Sequence, residues 1–301
     1  MKLRILTEAS GSMTAAYLIK AIKEAGHVCV ASDIDEHCAG RYLADDFIAM
    51  PRKDDPALWQ TIEALLAEKR IDVVIPSLDE TLQGWAERKE RLRAAGVHVI
   101  LSAPEIIGIC QDKWLTYQFF VDNGIPTPAT SLTQEFSLVK PRCGRGAAGV
   151  TLATDPVDMT GMISQEFLEG IEYTVDVFCD RTSSPIYIVP RRRANVRDGK
   201  STAGIVEAQP DIIRWIEIIC QRLPFIGPVN FQCFVCPDGS IKFVEINPRI
   251  AGGMALGFAA TENWIELIVR NIINNGDIAV KPIRFGLEMK RYYAEVFVPS
   301  H

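Results

Sequence analysis

Between Asn230 and Arg249 the chain reads NFQCFVCPDGSIKFVEINPR, and several side chains in this stretch could hold a metal ion against a phosphate. Asp238-Gly239 is a hairpin turn signal, and both flanks alternate aromatic or β-branched residues with polar ones. A two-residue turn there sets Pro237 opposite Ser240, Gln232 opposite Glu245 and Asn230 opposite Asn247. Along the second strand the period of two sends Glu245 and Asn247 to one face, and Val244 and Ile246 into a core. A carboxylate with amide oxygens is a hard donor set of the kind Mg2+ takes, and that ion completes its shell with phosphate oxygens and water. A nucleotide phosphate is the expected third party, and Arg249 can grip a phosphate oxygen with its planar fork. The same spacing also suits a plain polar pair, Gln232 with Glu245, across a half-exposed sheet.

Three further segments carry compatible chemistry. LVKPRCGRGAAGV (138–150) places Lys140 at the end of an apolar run, ahead of a loop in which Gly144, Gly146 and Gly149 permit close backbone approach. Such a loop offers N–H groups to phosphate while Lys140, Arg142 and Arg145 add positive charge, although a surface turn would use the same residues. SQEFLEGIEYTVDVF (164–178) reads as a short strand ending at Leu168. Its free backbone groups could pair with an adenine edge, and an acidic residue just beyond could accept from ribose hydroxyls. In PRRRANVRDGK, alternation sends Arg191 and Arg193 to one face and Arg192 to the other, so Arg193 could hold a substrate carboxylate or acyl phosphate. A solvated, charge-protected edge strand is the alternative. The Gly-Lys-Ser at 199–201 is no P-loop, because Ala194 stands where the leading glycine is required.

FVEINPR preceded by NFQ resembles the closing motif of the ATP-grasp superfamily, in particular its carbamoyl-phosphate-synthase-like carboxylate–amine ligases. The resemblance implies that Gln232, Glu245 and Asn247 bind Mg2+ bridging the phosphates of ATP and that Arg249 meets phosphate. It extends to Lys113 as the basic residue preceding the grasp, and to Lys140 with Gly144, Arg145 and Gly146 as the phosphate-binding flap. At the hinge it implies Glu166, Phe167 and Leu168 facing adenine, with Glu172, or Glu169 beside it, facing ribose. It covers nearly the whole chain with the motifs in the family's order. The departure is a shortened flap: only residues 129–139 separate Pro128 from Lys140, and 150–164 separate Gly149 from Gln165. The activity implied is ATP-dependent activation of a small carboxylate as an acyl phosphate, then its joining to an amine. Arg249, Lys140 and Arg193 are the expected catalytic residues. An ATP-binding regulatory protein with a degenerate fold, or a phosphotransferase, are the alternatives.

The elements that must position these residues fall into an α/β order. Residues 3–7, 27–33, 71–77 and 97–102 read as strands separated by helices, which predicts a parallel, Rossmann-like sheet. Its first turn, TEASGSMT, lacks the glycine spacing of a dinucleotide site. Asp79 and Glu80 follow a strand's carboxyl end, where they could recognise substrate, or Asp79 could cap the next helix. The expected division is a pre-ATP-grasp domain over 1–102, a linker helix and small flap subdomain over 103–165, and a C-terminal ATP-grasp subdomain over 166–301. After Arg249 a single helix is expected from beyond Gly253 to near Gly276. The 301 residues carry a formal charge of -6, which gives no basic field for nucleic acid or an anionic membrane. No apolar stretch is long enough to span a bilayer, so a cytoplasmic protein is expected, with a homodimer as its candidate assembly. Eight scattered cysteines read as reduced thiols, and four histidines support no nucleophilic triad.

Overall fold

The computed structural model describes residues 2–12, 15–144, 148–197, 200–292 and 294–298. Arg145 and Gly146 of the expected flap lie outside the described residues. The chain forms two compact units: Met1–Leu101 with Glu262–Ala279 and Arg291–His301, and Ser102–Thr261 with Val280–Lys290. No helix among the described residues is long and apolar enough to cross a membrane.

In the first unit, β1 (Arg4–Thr7), β2 (Val28–Asp33), β3 (Asp46–Ala49), β4 (Val73–Ile75) and β5 (His98–Val99) form a parallel sheet in the order β3-β2-β1-β4-β5. Helices α1 (Ala15–Glu24), α2 (Ala39–Leu43), α3 (Leu58–Glu68) and α4 (Leu82–Ala94) connect them. Ile5, Leu6, Val30, Val73 and Val74 are fully buried, as continuous apolar strands covered on both faces must be. The edge strand β3 is missing from the expected set, because its four residues, DFIA, carry too little alternation to be recognised.

Strand order reverses between β1 and β4, where an open α/β sheet leaves a crevice. Glu8, just past β1, is buried there. Its carboxyl group accepts from the Trp85 indole (2.8 Å), the Ser77 amide (3.1 Å) and the Thr81 hydroxyl (3.1 Å). Burial raises the Glu8 carboxyl above its ordinary range. The Gly11 amide donates to Asp33 Oδ2 at 2.7 Å, so an N–H of the first turn is engaged by the chain's own carboxylate. Asp79 opens a one-turn 3-10 helix, and the residue at the N-cap of α4 is Thr81, whose side chain makes no capping bond.

The second unit begins with α5 (Pro104–Gln111) and α6 (Lys113–Asp122). A small antiparallel sheet follows: β6 (Thr130–Ser131), β7 (Leu138–Pro141), β8 (Thr151–Leu152) and β9 (Met162–Gln165), in the order β6-β9-β7-β8. Among the described residues no helix accompanies it, in keeping with the shortened flap. The large antiparallel sheet contains β10 (Ile171–Cys179), β11 (Pro185–Arg197), β12 (Lys200–Val206), β13 (Gly227–Val235), β14 (Ile241–Asn247) and β15 (Glu288–Lys290), in the order β14-β13-β10-β11-β12-β15. Helix α7 (Pro210–Arg222) starts with proline at a position where a missing N–H costs nothing. Its Ile212, Ile216 and Ile219 pack on Val175, Val177, Phe231, Phe243 and Ile246 of one sheet face.

The single helix expected after Gly253 is broken. Helix α8 (Ala255–Ala260) stops at Ala260, and a new helical segment starts at Trp264, capped by Asn263 and passing into a π-helical turn over Ile268–Ile273. The break separates two destinations. Trp264, Ile265, Leu267 and Ile268 are buried in the first unit, where Asn263 Nδ2 donates to the Ala21 carbonyl at 2.8 Å. Glu8→Ala leaves the buried Trp85 indole N–H and the half-buried Ser77 amide without this acceptor, while the Thr81 hydroxyl keeps the Leu78 carbonyl, so we expect a loss of about 2 kcal/mol in the stability of this unit, read from urea unfolding. An unchanged midpoint would remove Glu8 from its structural role.

Candidate functional site

The hairpin reaches the expected register by an unexpected route. Proline has no N–H, and Pro237 does not pair with Ser240. The loop contains three residues, Pro237 to Gly239, closed by the Cys236 amide donating to the Ser240 carbonyl (2.8 Å), with Gly239 in the left-handed region at φ 84°. That loop pairs Val235 with Ile241 and Cys233 with Phe243, one residue out of step with the expected register. A β-bulge then skips Val244 and restores Gln232 opposite Glu245 and Asn230 opposite Asn247. Val244 is consequently not buried, contrary to expectation, while Phe243 and Ile246 are.

Around Glu245 the structure gathers residues from distant segments. Lys113 Nζ lies 3.8 Å from Glu245 Oε1 and donates to the Gly144 carbonyl at 3.0 Å, joining the start of α6 to the edge of the glycine loop. Asp112 caps α6 by accepting from the Trp114 amide at 2.9 Å and also pairs with Arg142. Lys140 Nζ donates to Gln165 Oε1 at 2.7 Å, and Gln165 Nε2 donates to Thr130 Oγ1 at 2.8 Å. Burial lowers the Lys140 ammonium to about 8, opposed by the attraction of Glu245 and reinforced by the repulsion of Lys113. Two cations and one carboxylate thus lie within electrostatic reach of one another. Just beyond the sheet's edge strand, Arg249 Nη2 donates to Asn247 Oδ1 (3.2 Å) and Nη1 to the Ile250 carbonyl (3.2 Å).

The hinge differs from expectation in its length. Strand β9 ends at Gln165, three residues before Leu168, although the Glu166 amide still donates to the Ala129 carbonyl at 2.8 Å. The Glu166 carboxylate accepts from Lys242 Nζ (2.7 and 2.8 Å) and from the Ala129 amide (3.2 Å), and the Lys242 ammonium holds it below the usual range. Phe167 is exposed, and Leu168 and Glu169 continue in irregular backbone. Glu172 is joined to Arg193 by an ion pair. Arg191 and Arg193 share one face of β11, whereas Arg192 turns to Glu207 on the other (2.7 Å).

Residues absent from the expected set complete this face. Asp176 receives Arg191 Nε (2.7 Å) and Nη2 (3.0 Å) together with Asn230 Nδ2 (2.7 Å), all buried. Glu172, Thr174 and Asp176 recur every second residue in β10, a polar face visible in the sequence, but their partners follow only from strand pairing.

The donor set suits a hard cation shared with phosphate. Glu245 supplies a carboxylate, Gln232 and Asn247 supply amide oxygens on the same face, and a bound anion would have to supply the remaining ligands. Among the described residues no cluster of three His, Cys, Asp or Glu side chains could hold a metal unaided.

Residues 158–294 match a family described as ATP-grasp in the biosynthetic pathway with Ter operon, and residues 5–100 match the PylC-like N-terminal domain. The chain is similar to the 3-methyl-D-ornithine–L-lysine ligase of Methanosarcina acetivorans, with 25% identity over 267 residues covering 85% of this chain and 69% of that protein. The L-amino acid ligase of Bacillus licheniformis has the same fold, with a TM-score of 0.71 at 16% identity over 89% of this chain and 73% of that one. So does the biotin carboxylase domain of Hydrogenobacter thermophilus 2-oxoglutarate carboxylase, solved with MgADP, with a TM-score of 0.74 at 15% identity over 96% and 73%.

Lys140 generates a pH prediction. Its positive charge is present below about 8 and lost above it, so a polyphosphate drawn to it should bind more weakly as pH rises through that value. Titrating a non-hydrolysable ATP analogue with magnesium at pH 7 and pH 9 should show weaker binding at pH 9. Lys140→Met should bind weakly at both values.

Proposed function

We propose that the chain is an ATP-dependent carboxylate–amine ligase of the ATP-grasp type, acting on small substrates of the amino-acid type. The observation that carries this reading is the approach of Lys113, Lys140 and Glu245, with Gln232 directly across from Glu245. A ligase site needs fixed positive charge around a transferring phosphoryl group and a carboxylate for its counterion. The methanogen relative, by its name, joins two amino acids, which supports substrates of that class.

In this reading Lys113 and Lys140 bind the phosphates of ATP, and the backbone beyond Glu166 meets adenine while Glu172 faces ribose. Gln232, Glu245 and Asn247 would hold magnesium, which would supply neutralisation of phosphate charge. A substrate carboxylate attacks the γ-phosphorus, forming the acyl phosphate and breaking the bond to ADP. The amine then attacks the acyl carbon, phosphate leaves, and the amine gives up a proton as the amide forms. Arg249 orients the transferring phosphoryl group through its fork. Arg193 keeps the substrate carboxylate in line, and its ion pair with Glu172 links the ribose position to the substrate position. A cytoplasmic setting fits the ATP that this chemistry consumes.

A second reading, an ATP-binding regulatory protein, draws on the small sheet, which no helix accompanies among the described residues, because a thin flap excludes less water from an acyl phosphate. ADP release across a panel of amino-acid pairs separates the two. The ligase reading expects release that requires both partners. It also expects Glu245→Ala to lower turnover by about 100-fold or more. Wild-type turnover in Glu245→Ala would sink the metal assignment, and nucleotide binding without ADP formation would favour the regulatory reading.

A further inference from the structure

We propose that Arg191 and Asp176 are positioning residues, whose buried ion pair seats the loop Ile250–Gly253 and thereby sets how Arg249 and Asn247 are presented. The catalytic half of this proposal rests on the ligase reading.

The pair is an improbable device for stability alone. The Arg191 side chain is 3% exposed and that of Asp176 is 0% exposed, and desolvating two charges offsets much of their attraction. Apolar residues of similar volume would serve a core as well. What the pair supplies is a flat, hydrogen-bonded surface fixed in one orientation.

The loop rests directly on that surface. A Cβ on Gly253 would lie 2.4 Å from Arg191 Nη2, 2.6 Å from Nη1 and 2.7 Å from Cζ, so no side chain fits at this position while the guanidinium stays where it is. Gly257, in α8, approaches the other partner less closely: its Cβ would lie 3.0 Å from Asp176 Cβ and Oδ2. Gly253 is therefore required by contact rather than by backbone angle, whereas a Cβ at Gly257 only tightens the packing on Asp176.

The circuit closes on the site. The chain leaves the sheet at Asn247, which is paired in register with Asn230. Asn230 donates to Asp176, Asp176 holds Arg191, and Arg191 carries Gly253. Between these two anchors lies Arg249, whose Nη1 donates to the Ile250 carbonyl and whose amide donates to the Asn247 carbonyl at 2.8 Å. Lifting Gly253 off the guanidinium moves the Ile250 carbonyl, and with it the Arg249 fork.

The test uses Gly253→Ala, which adds the forbidden Cβ, and Arg191→Lys, which keeps the charge and removes the fork. Amide hydrogen exchange over 248–256 should accelerate by about 10-fold or more in each, with β10 unchanged. Turnover should fall by about 10-fold or more, while the Kd for a non-hydrolysable ATP analogue with magnesium stays within about threefold. In the Arg191→Lys background Gly253→Ala should add far less than it costs alone, because both act on one contact. Unchanged exchange over 248–256 in folded Gly253→Ala would overturn the seat, as would strict additivity. Faster exchange with wild-type turnover would overturn the catalytic consequence. A wild-type protein that forms no ADP with any substrate pair would instead overturn the ligase reading, and the exchange result would still decide the seat.

Discussion

Side chains alternate along a strand, so a single residue more or less between the Pro237–Gly239 loop and Glu245 exchanges the two faces of β14. The three-residue loop creates such an offset, and left uncorrected it would set Glu245 opposite Phe231, facing the core. The bulge at Val244 removes it. One face of the large sheet then carries Phe243, Ile246, Phe231 and Val175 against α7, while the other carries Glu245, Gln232, Asp176 and Arg191. The core and the candidate site are the two sides of one decision about register, and neither can be changed without the other.

The polar face has two regimes. Under the Gly253 loop and α8 it is sealed, and there every charge is matched: Arg191 by Asp176, and Asp176 further by Asn230. Toward Lys113, Lys140 and Glu245, two ammonium groups face one carboxylate. A site meant to hold polyphosphate needs that imbalance, because a preformed excess of positive charge draws an anion with little reorganisation on binding. Its cost is visible at Lys140, where burial brings the ammonium to within reach of neutral pH.

Much of this was readable from residue types and spacing, and what was missed follows a pattern. The faces of the arginines in β11 and the pairing of Gln232 with Glu245 needed only period two and a hairpin. Asp238-Gly239 suggests a two-residue loop unless the missing N–H of Pro237 is weighed. Asp176 and Arg191 are invisible as a pair because they meet diagonally across β10 and β11, where Arg191 stands opposite Thr174. The same holds for Gln165, which meets Lys140 only through the antiparallel pairing of β7 with β9. Glu8 lies furthest from local signals, since its partners Ser77, Thr81 and Trp85 follow some 70 residues later.

The small sheet, which no helix accompanies among the described residues, does not leave its lysine loosely held. Lys140 on β7 donates to Gln165 on β9, and Gln165 donates to Thr130 on β6, so one chain of hydrogen bonds runs across three strands. Gln165 is buried and uses both ends of its amide, which fixes its orientation. A helix packed on the outer face would add thickness to this sheet without adding a partner to Lys140. The lysine's direction is therefore set by strand pairing, and any movement of the small sheet toward a nucleotide carries Lys140, Gln165 and Thr130 together. What the thin flap lacks is mass to exclude water, and the charge it must deliver is already aimed by its own strands.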